Sequence, residues 1–442
     1  MHTKTTASLD RRLFLAGLAA ASGGAALGLA ATRTVAGAEP SATEGALRSA
    51  GAERSKNATA GGRGTTRHVA SEIKESKDPK TRARVRRLTG DGSSNVHPYF
   101  TSTAFIGLGA ENVVLASNRS GGFQWYLLEI ASGRLVQLTE GLEISPNMAC
   151  VDPAGRLFYF DGRLLRSVRT DTLEDRELYR VPDGFKPALP SCTADGKCVA
   201  FAYCEQTVLS TETGRIYSTM HERYYQHPRS LIMRIDTGKG EAAAAWGETA
   251  WISHVLIHPT RPNLIVFCHE GGSTCVKQRM WTVDLDDRIA RQAKPLYAQR
   301  ADESCVHEYF TRQGDVGFQY SLEREGGRED YNCYIRPDGT WLRQFLLPGR
   351  RPGHIQSNSD NTLVVGDGGY LGSDDKDGNQ YISLMTHPDG RAKVRRLCWH
   401  GTSGRTQSSH GHPSFSPDDR WVIYNSDAGG SDNIYMADVQ SI

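Results

Sequence analysis

The chain has 442 residues, a formal net charge of +2 and nine cysteines. Its lysines and arginines form no stripe interleaved with aromatics, which argues against nucleic acid as a partner. No CxxC pair or Cys-rich cluster occurs, so the cysteines are not expected to ligate a metal. Cys150, Cys268 and Cys305 sit in apolar strand patterns and read as small buried residues. Cys192, Cys198 and Cys204 are close enough in sequence to allow one disulfide.

The first residues carry Arg11-Arg12, then a mild Ala- and Gly-rich run to about Ala31 and the small-residue site Ala36-Gly37-Ala38. That order predicts a twin-arginine signal peptide over residues 1–38, and hence a periplasmic or extracellular protein. The run is too rich in Gly, Ala and Ser for a spanning helix. No later segment is apolar enough to cross a bilayer. Residues 39–75 have almost no large apolar side chains and cannot offset their ordering entropy, so a disordered linker is expected there. Residues 76–442 remain as one catalytic domain.

From Arg82 onward the pattern is all-β, with short alternating strands broken by Gly, Asp, Asn and Pro. One unit recurs seven times at a period of roughly 45–60 residues, the period of a propeller blade. The units open at His97, Met148, Ser191, Ser253, Cys305, His354 and His410. The last unit stops after three strands, near Val439. The strand Ala83-Arg84-Val85-Arg86-Arg87-Leu88 has no unit of its own. Together these predict a seven-bladed β-propeller, closed by the N-terminal strand pairing with the last blade.

In a propeller the inner strands line a central channel. His97, His254, His307, His354, His410 and His412 all fall at or near unit openings, although the whole chain holds only 14 histidines. His410 and His412 are two apart and, on a strand, would point the same way. Gln407 lies in the turn before them, and His354 opens the adjacent unit. Three imidazoles and an amide make a mixed N/O set that suits Mn²⁺, Fe²⁺, Ni²⁺ or Zn²⁺. Alone, the His-x-His pair is a weak signal. His307, taken alone, reads as a structural histidine, with Glu303 and Glu308 in position to orient it. Arg279 opens a third strand and, taken alone, reads more readily as a surface cation. His269 ends an apolar strand near the channel mouth, and Asp367 reads as a turn residue or a ligand.

The segments "VRRLT", "FCHEGG", "QRMWTVD", "ESCVHEYF", "GHIQSNSDNTLVVGDG" and "QSSHGHPSFSPDD", in this order, resemble the oligogalacturonate lyases of pectin breakdown. The resemblance implies a seven-bladed propeller that splits unsaturated digalacturonate into keto-deoxyuronate units by β-elimination, with Mn²⁺ as the usual metal. It implies that His354, Gln407, His410 and His412 bind the metal. It further implies that His307 abstracts the proton and that Arg279 assists. The chain departs from the family at Ser409 and Gly411, where Thr and Pro are usual, and at Lys277, where an acid is usual. The substrate expected is a short uronate oligosaccharide. Two other functions fit such a fold: a non-catalytic TolB-like interaction module, or a metal-dependent hydrolase or lactonase.

Overall fold

The computed structural model describes residues 70–210, 219–272, 275–287, 291–368 and 380–442. The chain divides at Thr59/Ala60, and every described residue belongs to the second unit. The signal peptide expected over 1–38, and the linker as far as residue 69, lie outside the described residues.

Seven antiparallel sheets follow one another along the chain. Blade 1 runs from Asn95–Val96 to Arg134–Gln137, and blade 2 from Ala149–Val151 to Asp175–Arg180. Blade 3 runs from Phe185–Pro187 to Glu241–Glu248, and blade 4 from Ile252–Ile257 to Lys294–Pro295. Blade 5 runs from Glu303–Phe310 to Arg343–Leu346, and blade 6 from Ile355–Ser357 to Lys393–Trp399. Blade 7 begins at Ser414–Phe415 and supplies Trp421–Ser426 and Asn433–Asp438. The N-terminal strand Arg84–Arg87 pairs antiparallel with Asn433–Asp438 and closes the ring, as the sequence predicts.

Closure needs a further strand that sequence did not foresee. Lys74–Lys77 pairs with Arg84–Arg87 and forms a fully exposed outer edge. Lys74 and Glu75 therefore belong to the fold and not to the linker. Glu72, one turn earlier, bridges Arg119 of blade 1 at 2.8 Å. This lysine-rich edge is too charged to recruit another strand.

Apolar side chains alternate along each strand and pack between blades, not within them. Seven apolar clusters result, one for each neighbouring pair of blades. The cluster that joins blades 7 and 1 contains Trp421, Ile423 and Met436 beside Phe105, Leu115 and Leu128. Continuity of these seven interfaces, each drier than a surface, holds the ring without a central core.

In blades 1, 4 and 5 the inner strand is irregular, and each irregularity moves a side chain toward the channel. In blade 1, Asn95–Val96 and Phe105–Ile106 both pair with Asn112–Ser117, so the residues between them leave the sheet. That excursion carries His97, Tyr99 and Phe100. In blade 4 an extra residue falls between Ile252 and Val255, and in blade 5 between Val306 and Tyr309. These β-bulges fall at His254 and His307, and a bulge re-aims the side chains it carries. Gly317 sits behind the second one, where a Cβ would come 2.4 Å from the Tyr309 ring.

All nine cysteines are free thiols. The disulfide allowed among Cys192, Cys198 and Cys204 does not form. Cys150, Cys268 and Cys305 are buried strand residues, as expected. Among the described residues, no helix is long and apolar enough to cross a membrane.

Candidate metal and catalytic site

His354, His410 and His412 converge at the mouth of the channel, with one ring nitrogen of each within 4.8 Å of the others. His354 precedes the inner strand of blade 6, and the other two precede that of blade 7. The pair does not lie on a strand as sequence suggested. His412 takes a left-handed φ of 47°, and its backbone N–H is drawn to Asp367 Oδ2 at 3.0 Å. The two rings still converge, with centroids 5.6 Å apart.

Asp367 is the centre of this arrangement. Its Oδ1 accepts the backbone N–H of His354, and its Oδ2 accepts His354 Nδ1–H at 3.0 Å as well as His412 N–H. One carboxylate thus fixes the histidine-bearing segments of two blades. Burial pushes the Asp367 carboxyl upward, but His354 and the backbone donors hold it well below the usual carboxylate range.

Each imidazole keeps at least one nitrogen uncommitted. His354 spends Nδ1–H on Asp367, which leaves Nε2 as an acceptor. His410 Nε2–H donates to Gly404 O at 3.2 Å, which leaves Nδ1. His412 is fully buried, and neither of its ring nitrogens has a partner. Leaving buried polar atoms unpaired costs about 1–3 kcal/mol apiece. Burial pushes His412 and His410 below the ordinary imidazole range, so both are neutral. Ring nitrogens with unspent lone pairs, steered by a carboxylate behind them, fit a divalent cation. Gln407 is exposed and lines the same cavity, and its backbone carbonyl accepts His410 N–H at 3.3 Å.

His307 stands beside this cluster, its ring centroid 4.8 Å from that of His354. Its φ is +58°, a conformation forced by the bulge. Gln319, on the next strand, orients it: Gln319 Nε2–H donates to Pro352 O at 3.0 Å, so Oε1 faces His307. His307 Nδ1–H donates to that oxygen at 2.6 Å, and Nε2 is left as a free base. Arg351 Nη1 approaches the same two atoms at 3.5 and 3.4 Å. The shorter contact fixes the tautomer. Burial, then His354 and Arg351, push the His307 pKa well below its ordinary value.

Glu303 and Glu308 do not orient His307. Glu303 accepts Tyr320 Oη–H and the Arg300 backbone, while the bulge turns Glu308 toward blade 4. There Arg279 donates to Glu308 through Nε and Nη2, at 3.0 and 3.2 Å, and to Glu270 through Nη1 at 3.2 Å. Glu308 also meets His254 Nδ1 at 3.1 Å. Arg279 is therefore a buried cation facing two carboxylates, not a surface residue. Three of its five N–H groups are spent there.

The remaining histidines divide. His97 is buried and bonded to Pro98 O at 2.7 Å, and burial pushes its pKa down to about 4. His269 faces away and pairs with Glu248 at 2.8 Å. Tyr99, which sequence did not single out, packs its ring on His412, His354 and His254 at 4.7, 5.8 and 5.6 Å. Gln356 secures that excursion by donating to Phe100 O and accepting from Phe415 N, both at 2.8 Å. Tyr99, His254, Arg279, His307, His354, Asp367, Gln407 and His410 line one cavity of about 1430 Å³.

A family model for oligogalacturonate lyases matches residues 64–442. An oligogalacturonide lyase of Pectobacterium atrosepticum is 29% identical over 376 residues, covering 82% of this chain and 95% of that protein. An oligogalacturonate lyase of Dickeya dadantii is 28% identical over 375 residues, with the same shares of each chain. A solved oligogalacturonate lyase in complex with manganese superposes with a TM-score of 0.75 at 26% identity, over 85% of this chain and 98% of its own. An oligogalacturonate lyase structure from Vibrio parahaemolyticus, 24% identical with a TM-score of 0.75, shares the fold over 86% of this chain and 99% of its own. The match covers the whole ring and the histidine cluster with it: the chain belongs to the oligogalacturonate lyase family, and it is a carbon–oxygen lyase.

Proposed function

We propose that the chain is a divalent-metal-dependent lyase that cleaves short galacturonate chains by β-elimination. The observation that carries this reading is one free base, His307 Nε2, beside three imidazoles with unspent lone pairs. His354, His410 and His412, with Gln407 on the adjoining turn, would hold the metal. A manganese complex of a relative supports Mn²⁺ as the ion. When bound, a divalent cation supplies Lewis-acid neutralisation of the uronate carboxylate, which acidifies the neighbouring C5–H.

The chain's own groups do the rest. His307 Nε2 takes the C5 proton, and the freed electron pair forms the C4–C5 double bond as the C4–O bond breaks. A low pKa keeps His307 unprotonated at neutral pH, and Gln319 keeps the basic nitrogen toward the cavity. Arg279 retains two N–H groups that can stabilise the departing oxygen, which then takes a proton from solvent. Tyr99 and Phe100 cover the inner side of the histidine cluster and limit water there.

The test pairs two variants with chelation on unsaturated digalacturonate. His307→Ala should lose roughly 10²–10⁴-fold in kcat while binding Mn²⁺ with full stoichiometry. His410→Ala should lose both metal and activity, and added Mn²⁺ should restore a chelated wild-type enzyme. A chelated enzyme that keeps its rate would overturn the reading.

We also propose export by the twin-arginine route, supported by Arg11-Arg12 and the small residues to Ala38. Mass spectrometry of the protein from the producing cell should find a mature N-terminus at Glu39. An intact leader on active protein in the cytoplasm would sink the idea.

A further inference from the structure

Charge is unevenly matched around the cavity. Of its cations, Arg279 faces Glu308 and Glu270, and Arg328 faces Asp330. Of its acids, Asp367 is held by His354 and Glu205 by Arg229. Lys186, Arg223 and Arg350 also line it, and no carboxylate among the described residues pairs with any of them. Arg350 lies on the segment entering blade 6, at the metal end.

The other two cations belong to blade 3. Lys186 is on the inner strand Phe185–Pro187, and Arg223 is on the short helix Met220–Tyr225 between two strands of that blade. In a ring of seven, blade 3 stands three places from both blade 6 and blade 7. Lys186 and Arg223 therefore face the histidine cluster from across the channel. The helix packs His221 and Tyr224 over the Gly271-Gly272 turn of blade 4, where side chains larger than glycine would collide with them. Gln226 anchors its end by donating to Val208 O at 2.9 Å.

Arg223 also stacks 4.9 Å over the ring of Trp251, which lines the cavity at the entrance to blade 4. Stacking occupies the flat face of the guanidinium and leaves its in-plane N–H groups for a carboxylate. A half-buried indole stacked on one unmatched cation, with a second cation lining the same cavity, suits one ligand class: a sugar ring that bears an acid. The cavity, at about 1430 Å³, also exceeds the roughly 300–1,000 Å³ that holds a drug-sized ligand.

We propose that Lys186, Arg223 and Trp251 form a remote uronate subsite, which receives a further acidic sugar of the chain whose first uronate sits at the histidine cluster. The subsite rests on the uronate reading above. It makes the enzyme favour galacturonate chains longer than the disaccharide.

The test uses the His307→Ala protein loaded with Mn²⁺, which holds ligand without turning it over. Calorimetry would measure its affinity for tetragalacturonate and for galacturonate, before and after the double substitution Lys186→Gln/Arg223→Gln. Two partly exposed ion pairs lost together should weaken the tetramer about fivefold. The monomer, which fills only the metal end, should change by less than about twofold. In the otherwise wild-type enzyme the same pair should raise KM for long chains more than it lowers kcat. Equal weakening of both ligands, weakening of neither, or a tetramer that does not bind at all would each overturn the subsite. Failure of the lyase reading would look different: a wild-type enzyme that releases no keto-uronate from any chain length.

Discussion

Among the described residues, two groups of side chains could hold a metal. His354, His410 and His412 form one, and His254, Cys268 and Glu308 form the other. By distance alone they are equivalent. They differ in what their atoms already hold. Glu308 accepts from Arg279 and His254, and both Cys268 and Glu308 lie in the field of the Arg279 guanidinium. Burial pushes the Cys268 thiol well up, so it has no thiolate to offer. In the first group every imidazole keeps a free lone pair. Saturation, not proximity, separates a structural ion-pair network from a set of side chains free to take a metal.

The largest test of that contrast is to break the saturated side. Arg279→Ala leaves Glu308 fully buried, with only His254 beside it. Stranding one partner of a buried pair costs about 3–5 kcal/mol. Urea unfolding should register a loss of that size, and the protein that remains folded should still bind Mn²⁺ with full stoichiometry. A stability loss under about 1 kcal/mol would mean the network is a surface-like pair. Loss of metal would mean that the two groups are one site.

The open side breaks differently. Asp367→Asn puts an amide where two donors meet Oδ2 and a third meets Oδ1. An NH₂ group must then face at least one N–H, and the ligand segments of blades 6 and 7 lose their common anchor. Removing such an outer partner costs about 10–100-fold in metal affinity. Competition with a chelator of known affinity would measure it. Wild-type affinity in the variant would return Asp367 to an ordinary turn role.

How much of this was legible depends on whether the cause is local. Seven openings, the closing strand Arg84–Arg87 and the histidines at the unit starts follow from periodicity, which a linear sequence displays. So does the pairing of His354 with His410 and His412, because adjacent units become adjacent blades. The bulges at His254 and His307 were not legible. Each is one residue of mismatch between two strands, and nothing in "SCVHEYF" marks it without its partner strand. Gln319 was missed for the same reason, as its function exists only through that misaligned pairing. Asp367 was visible as a candidate, but its three donors come from His354 and His412, the latter 45 positions away. Tyr99 read as a strand opening because the split of the inner strand in blade 1 is a tertiary event. Residue types at a site can be read from sequence. The contacts that decide their protonation and aim cannot.

The smallest expected effect tests the clamp from its other side. Gly411 separates His410 from His412 in blade 7, and a Cβ there would lie 2.9 Å from Asp367 Cβ. Asp367 cannot withdraw, because its carboxylate is bound from both blades and its own backbone bonds Gly353 and His354. Gly411→Ala must therefore displace the His410–His412 segment. The clamp is shifted and not removed, so the cost should be smaller than for Asp367→Asn: overpacking of about 1 kcal/mol, or roughly fivefold in metal affinity. The Mn²⁺ affinities of Gly411→Ala, Asp367→Asn and the double variant form a cycle that decides the matter. If the alanine acts by shifting the His410–His412 segment off the Asp367 carboxylate, it should cost little once that carboxylate is gone. Full additivity would show that Gly411 serves the loop by itself, and that the two blades are joined at this point by Asp367 alone.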